Sequence, residues 1–501
     1  MDTPIGCHPL EQGPEKETGV PSKALEDPSQ PKDLDFPPGQ KTPLPTPIVG
    51  SVIYPFVNEL VLGLGITNGD PKRVGYYAGL IESSFFFTEF LVIFQWGRLS
   101  DKYGRKPIIT IGLFGVSLSI LSFGFSRTFA TVVISRCLAG LLNGNIGVIK
   151  SSIGELSDST NVQDAFRYMP LCWPLGEAIG GLIGGYLSNP NKHFPRVFKS
   201  SPFFESFPYL LPCATAAMFP LTGVILSTVA FRETNVKAIR HGSPPHSCSE
   251  HSTSAHPSFI SIRTILTRRV VVAGVNYWCL CLLYIVHSVL LPLYLSTPLG
   301  HGGLGFDPRR IGIVLCIQGA VSIILIILLA AKMQKHFGVA MSFTIAIAGY
   351  FVVFSAFPIM TMMTSAISTP EISGTASHLP WTVWVVLAAQ ILCVGLINAG
   401  FGSIFVLITE AAPKAHLGGI NGFAQTGASL VRAIGPAGST SLFAFSVERH
   451  HILGGGLVWL ILVILTFVSV GMCFLLEEPH GVPLGGDEEE MIALLENREP
   501  E

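Results

Sequence analysis

Three ionisable residues, Glu59, Glu82 and Arg136, stand inside long apolar runs of this chain, where charge is expensive and marks function by default. Glu59 and Arg136 lie at the same predicted depth in their runs, so an acid and a base there can pair. A carboxylate that alternates between a protonated state and an ion pair can couple proton movement to another process. We therefore predict that these three residues take part in proton coupling, with Glu59 or Glu82 as the proton carrier. A permanent structural Glu59–Arg136 salt bridge is the alternative.

Glu82 has an acidic neighbour, Glu89, on roughly the same face of the same predicted helix. Either carboxylate is a candidate for a second proton carrier or for a contact with a cationic substrate. The alternative is a carboxyl group that is hydrogen-bonded within the packing and has no transport role.

A second acid–base pair emerges from an internal repeat. An offset of 255 residues places Glu177 and Arg432 at equivalent positions of two glycine-rich runs. If the two runs face each other, the pair forms a gate or a substrate contact; otherwise each charge is satisfied locally. Asn143 and Gln425 are further candidates for substrate or gate contacts.

Residues 97–106 place two glycines, one acid and four cations between two apolar runs. A basic link of this kind is favoured on the cytoplasmic side of a membrane. We predict that Asp101 accepts hydrogen bonds at a helix N-terminus near residues 418–422, which would make it part of a gate. Alternatively, Asp101 pairs only with Arg105 and stabilises the link. The predicted gating residues are Gly97, Asp101, Gly104, Arg105 and Lys106.

Composition shows what must hold these residues. The chain is 49% hydrophobic and 13% charged, whereas a soluble domain carries about 25% charged residues. Runs of about 20 apolar residues are long enough to cross a bilayer as helices. The sequence therefore predicts an all-α membrane protein with twelve transmembrane helices, near residues 46–66, 76–97, 107–126, 129–149, 168–188, 206–231, 270–295, 311–331, 338–360, 381–409, 418–445 and 452–476.

Several classes of function are excluded by what the sequence lacks. A net charge of −2 without a dense basic tract argues against nucleic acid. Ten cysteines show no pairing pattern. No nucleophile motif, phosphate-binding motif or cofactor motif appears, so neither an enzyme nor a cofactor is expected. Four histidines at residues 241–256 lie in a Pro- and Ser-rich segment whose spacing fits no rigid zinc site, so no metal site is predicted.

The longest hydrophilic interruption divides the spans into two pseudo-symmetric sets of six. Residues 332–338 repeat the position of residues 98–104 in the second set. Lys and Arg are more frequent on the links that share a side with the termini, which predicts cytosolic termini. The predicted organisation is a disordered tail 1–45, an N-terminal half 46–231, a cytosolic loop 232–269, a C-terminal half 270–476 and an acidic tail 477–501.

The 97–106 segment matches the motif G-x-L-x-D-x-x-G-R-K between helices two and three of the major facilitator superfamily, which the chain resembles across both halves. Arg136 begins a segment similar to the helix-four pattern of superfamily exporters, which is tied there to proton transfer. Residues 173–185 resemble the helix-five antiporter signature, with the proline displaced to Pro174 and Glu177 inserted. Further matches at 96–97, 135–144, 233–234 and 421–436 resemble the zinc-induced-facilitator-like branch, which neighbours the tetracycline-resistance-type drug:proton antiporters.

The resemblance implies two six-helix halves that rock around a central cavity. It also implies proton-coupled export of a small organic molecule, such as a drug or a secondary metabolite. The expected partners are this substrate, protons and the lipid bilayer, and the expected state is a monomer in the plasma membrane, with the vacuolar membrane as the alternative. Transport of a sugar, another nutrient or a metal chelate, and a non-transporting receptor on the same scaffold, remain open.

Overall fold

The computed structural model describes residues 46–144, 147–149, 152, 169–198, 201–231, 233, 267–365, 379–411, 417–449 and 453–477. Within these ranges every regular element is a helix. The predicted tail 1–45, most of the predicted loop 232–269 and nearly all of the predicted tail 477–501 lie outside the described residues. The domain boundaries therefore stay predictions.

The described helices of the N-terminal half begin with a divided span. Pro55 has no N–H to continue a helix, and residues 52–56 form turns between the first two helices. The helices are α1 (Thr46–Ser51), α2 (Val57–Gly63), α3 (Val74–Tyr103), α4 (Arg105–Gly124), α5 (Phe129–Leu142), α6 (Cys172–Leu187), α7 (Pro190–His193), α8 (Pro195–Phe198), α9 (Pro202–Ser206) and α10 (Leu210–Val229).

The described helices of the C-terminal half are mostly longer. They are α11 (Arg268–Ser296), α12 (Pro308–Phe337), α13 (Val339–Ser365), α14 (Trp381–Ala411), α15 (Leu417–Glu448) and α16 (Leu457–Cys473).

Single glycines join equivalent helices in the two halves. Gly104 (φ 102°) connects α3 to α4, and Gly338 (φ 83°) connects α12 to α13. Both backbones lie in the region that residues with a Cβ rarely adopt. The basic segment 97–106 is therefore not an open link, because α3 continues through Tyr103 before the chain turns. The matching junctions show the pseudo-symmetry that the sequence predicts.

Each predicted span coincides with described helix, so the prediction of twelve transmembrane helices is confirmed. Among the described residues, eight helical stretches are long and apolar enough to cross a membrane on length and composition alone: those of α3, α4 and α10–α14, and Phe129–Ile149, which begins with α5. The other spans are divided (α1 and α2), shorter (α6 and α16) or richer in polar and small residues (α15). Large apolar side chains such as Phe94, Leu118 and Phe467 stay exposed, as expected where helices face lipid.

The two halves meet along two pairs of helices, α3 with α15 and α6 with α12. A Cβ added at Gly75 would lie 2.6 Å from the Thr440 carbonyl oxygen, and one at Gly185 would lie 2.7 Å from the Pro308 carbonyl oxygen. Small residues thus bring backbones together where hydrophobic exclusion cannot drive association.

Polar contacts reinforce the joint at the end where α3 begins. Tyr76 Oη donates to Glu448 at 3.4 Å, and Asn58 Nδ2 donates to Ser296 Oγ at 2.9 Å. Both contacts connect the N-terminal half to the C-terminal half. The halves are therefore closed together at this end of the bundle.

Candidate functional site

A cavity of about 100 Å³ lies between the halves and is lined by five of the predicted site residues. Its wall is formed by the α1 segment and the turn after it, α3, α4, α5, the start of α6, α11 and α15. The wall includes charged, amide and aromatic side chains: Tyr54, Glu82, Phe85, Phe86, Glu89, Arg136, Asn143, Trp173, Glu177, Tyr284 and Arg432.

Arg136 on α5 pairs with Glu82 on α3 inside this wall. Arg136 Nη2 lies 2.6 Å from Glu82 Oε2, and the two side chains are only 2% and 5% exposed. Tyr54 Oη donates to the second carboxylate oxygen of Glu82 at 3.0 Å. The guanidinium also stacks over the Phe85 ring, 4.6 Å from its centroid. Both oxygens of a buried carboxylate are therefore bound by donors from other segments.

The expected contact between Glu59 and Arg136 is not formed. Glu59 lies on α2 near the surface, where its Oε1 accepts from Asn189 Nδ2 at 3.1 Å and lies 3.5 Å from Lys192 Nζ. Position along a predicted span does not fix which way a side chain points around its helix. The Glu82 side chain points toward Arg136 and forms the ion pair that was expected for Glu59.

Glu89 connects the halves deeper in the cavity. Its Oε1 accepts from Asn143 Nδ2 at 3.1 Å, and Ser429 Oγ of α15 lies 3.5 Å from Oε2. Arg432, one turn further along α15, is attracted by the Glu89 charge. Asn143 is therefore placed in the cavity wall as a partner of an acid, and Glu89 faces both halves.

Glu177 and Arg432 line the same cavity but do not pair in the described part of the chain. Glu177 Oε1 accepts from Gln318 Nε2 of α12 at 2.6 Å. Arg432 Nη2 contacts Cys281 Sγ at 3.2 Å. The two side chains thus contact different neighbours, as in the alternative of two separate charges. Their equivalence in the repeat placed both at the cavity without making them partners.

Gln425 is placed differently from the other substrate candidates. Its Oε1 accepts from Tyr277 Oη at 3.4 Å, and it is absent from the residues that line the cavity. Gln425 therefore helps join α15 to α11, and a substrate contact stays a prediction.

The 97–106 segment is held within the N-terminal half. Arg105 Nη1 lies 2.8 Å from Asp101 Oδ1, the pairing of the alternative reading. The side chains of residues 417–419 lie outside the described part, so contact of Asp101 with that helix N-terminus stays a prediction. Lys106 Nζ donates to the Thr228 carbonyl at 2.9 Å, near the end of α10. No described atom comes within 4 Å of a Cβ placed on Gly97, so packing gives no reason for that glycine.

Glu233, which the sequence reading did not assign to this segment, caps α4. Its carboxylate accepts from the backbone N–H of Arg105 at 2.7 Å and from that of Lys106 at 3.1 Å. A carboxylate at a helix N-terminus satisfies unpaired donors and the helix dipole. The only signal for this contact was its position just after the sixth span, since nothing in the sequence places the end of α10 beside the start of α4.

Two helical halves around a charged cavity buried at membrane depth define a multi-pass membrane transporter for small molecules. The chain belongs to the Major Facilitator Superfamily, whose family model matches residues 47–436.

Known proteins agree with this placement. The multidrug transporter mfsB of Aspergillus fumigatus is 29% identical over 480 residues, covering 81% of this chain and 77% of that protein. Zinc induced facilitator 1 of Arabidopsis thaliana is 26% identical over 446 residues, covering 86% and 89%. The crystal structure of the human organic anion transporter MFSD10 matches with a TM-score of 0.55 at 14% identity, covering 86% of this chain and 96% of that one. The predicted superfamily is confirmed, the chain is similar to members of the predicted branch, and the chain is a transporter rather than an enzyme.

Proposed function

We propose that this transporter exports small organic molecules, such as xenobiotics or secondary metabolites, in exchange for incoming protons. The observation that carries the proposal is the buried pair of Glu82 and Arg136 in the wall of the cavity. A charged pair buried in a membrane protein is costly, and such residues are by default candidates for a functional role.

Glu82 can exchange a proton without leaving the cavity. Protonation removes the charge that holds Arg136 at 2.6 Å and leaves a neutral carboxyl group. The contact with Tyr54, in the turn between α1 and α2, is made by the other oxygen. Protonation therefore weakens the attraction between α3 and α5, and it changes the carboxyl group that Tyr54 of the first span contacts. Because α3 also forms the joint with α15, such a change can alter the balance between closed and open halves.

The name of the Aspergillus relative, a multidrug transporter, supports an organic substrate of this kind. The similarity of residues 173–185 to an antiporter signature supports exchange against protons. We further propose a monomer with cytosolic termini in the plasma membrane, with the vacuolar membrane as the second location.

Proton flux in proteoliposomes tests the proposal. Purified protein is reconstituted with a pH dye inside the vesicles, and rhodamine 6G and cycloheximide serve as cationic and neutral test compounds. We expect compound-dependent proton flux for the wild type. Glu82→Gln should abolish that flux while the compound still exchanges, because the neutral amide cannot take up a proton. Glu59→Gln, at the surface, is the matched control and should behave as wild type.

Other outcomes assign other functions. Movement of a compound without protons in the wild type would identify a uniporter. Movement of sugars or metal chelates but of no drug would favour the nutrient or chelate alternatives. Binding without any movement would favour the receptor.

A further inference from the structure

Within the proposed transport function, we infer that Glu177 is the counter-ion for a protonated amine, so that the preferred substrates are organic ammonium ions. This assignment gives the cavity a substrate class and a defined binding position. It is independent of the proton-carrying pair, which lies on other helices.

The balance of charge in the cavity points to Glu177. Three carboxylates and two guanidinium groups line it. Glu82 is neutralised by Arg136 at 2.6 Å, and Glu89 attracts Arg432. Glu177, only 6% exposed, is left without a cationic partner among the described residues. A buried carboxylate in this position attracts a positive ligand, since pairing recovers the electrostatic energy lost on leaving water.

Gln318 provides a second, independent acceptor at the same place. Its Nε2 donates to Glu177 at 2.6 Å. Its carbonyl Oε1, on the same amide group, is buried and has no hydrogen-bond partner among the described residues. Buried polar atoms are rarely left unsatisfied. An ammonium group carries up to three N–H donors and no acceptor, so it can satisfy both a carboxylate and an amide carbonyl.

Aromatic rings complete the site. Trp173 lies one helical turn before Glu177 on α6, and residues at this spacing share a face. Tyr284 of α11 also lines the cavity and is close enough to feel the Glu177 charge. Aromatic faces attract organic cations, most strongly where water is excluded. The arrangement therefore favours an ammonium ion that carries an apolar body.

A set of isosteric probes tests the assignment by binding, without transport. Isothermal titration calorimetry on the detergent-purified full chain compares 4-phenylbutylamine with 4-phenylbutan-1-ol and 4-phenylbutanoate. Because hydrogen bonds to charged groups are stronger than those between neutral groups, the wild type should bind the amine at least roughly ten-fold more tightly than the alcohol, and the carboxylate least.

Variants locate the preference. Glu177→Gln keeps the shape of the side chain and should reduce the amine-to-alcohol ratio to near one. Glu177→Asp keeps the charge and should retain a clear preference for the amine. Glu59→Gln, outside the cavity, is the control and should match the wild type. Size-exclusion profiles establish that each variant is folded.

The assignment is overturned if the wild type binds the alcohol as tightly as the amine, if it binds none of the probes, or if Glu177→Gln retains the wild-type ratio. The proposed function fails separately, through absence of compound-dependent proton flux in the proteoliposomes. A preference for the amine that persists without proton flux would support this site while refuting proton-coupled export.

Discussion

Removing Arg136 alone should destabilise the protein more than removing both members of its pair with Glu82. The two charges are 2.6 Å apart, and at an effective dielectric constant of about 20 they attract by about 6 kcal/mol. Arg136→Met leaves the Glu82 carboxylate buried, with the Tyr54 hydroxyl as its remaining hydrogen-bond donor among the described residues. Because Glu82 can escape part of the penalty by taking up a proton, we expect a loss of about 3–5 kcal/mol in unfolding free energy.

The assay is a double-mutant cycle measured by urea unfolding in mild detergent, with helix content followed by circular dichroism. Glu82→Gln combined with Arg136→Met removes both charges of this pair, so it should recover about 2 kcal/mol relative to Arg136→Met alone. Lys192→Met is the matched control. It removes a cation from the pair with Glu59, in which Lys192 is 72% exposed, and should cost less than about 1 kcal/mol.

The reasoning is refuted if Arg136→Met costs no more than the control. It is equally refuted if the double variant is no more stable than the single one, since the Glu82 charge would then carry no penalty when unpaired.

Two further predictions concern the ends and the joint of the bundle. Glu233→Ala removes the acceptor for the first two N–H groups of α4 and should lower the unfolding free energy by about 1 kcal/mol; Glu233→Gln, which keeps one oxygen, should lose less in the same urea titration. Gly79→Val should slow substrate exchange in proteoliposomes and cost about 1–3 kcal/mol of stability, because its Cβ would lie 2.8 Å from the Pro436 carbonyl oxygen. Gly438→Val, where no described atom lies within 4 Å of the new Cβ, is the control, and equal behaviour of the two variants would contradict the close-packing explanation.

The positions of the helices along the chain were largely predictable. Lipid requires long apolar helices whose backbone hydrogen bonds are internal, so hydropathy alone locates the spans. The repeat of residues 98–104 at 332–338 also survives in the structure as the junctions at Gly104 and Gly338. Only a glycine adopts such a backbone without strain, so the glycine at each junction can be recognised in the sequence.

The contents of the cavity were predictable as residues but not as pairs. Glu82, Arg136, Asn143, Glu177 and Arg432 all line it, as residues expected to contact substrate, protons or a gate. Their roles stay predictions. An ionisable residue in an apolar run can be recognised in the sequence, because burial of charge is costly and such residues are rare. The partner of that residue depends on which helices become neighbours.

The sequence by itself determined the number of spans, the two halves, the family and the charged residues that line the cavity. Only the tertiary structure decided that Arg136 binds Glu82 rather than Glu59, that Glu177 binds Gln318 rather than Arg432, and that Glu233 caps α4. Hydropathy and spacing fix the position of a residue along its helix. The rotation of that helix and the identity of its neighbours come from the packing of the whole bundle, and those choose the partner of each buried charge.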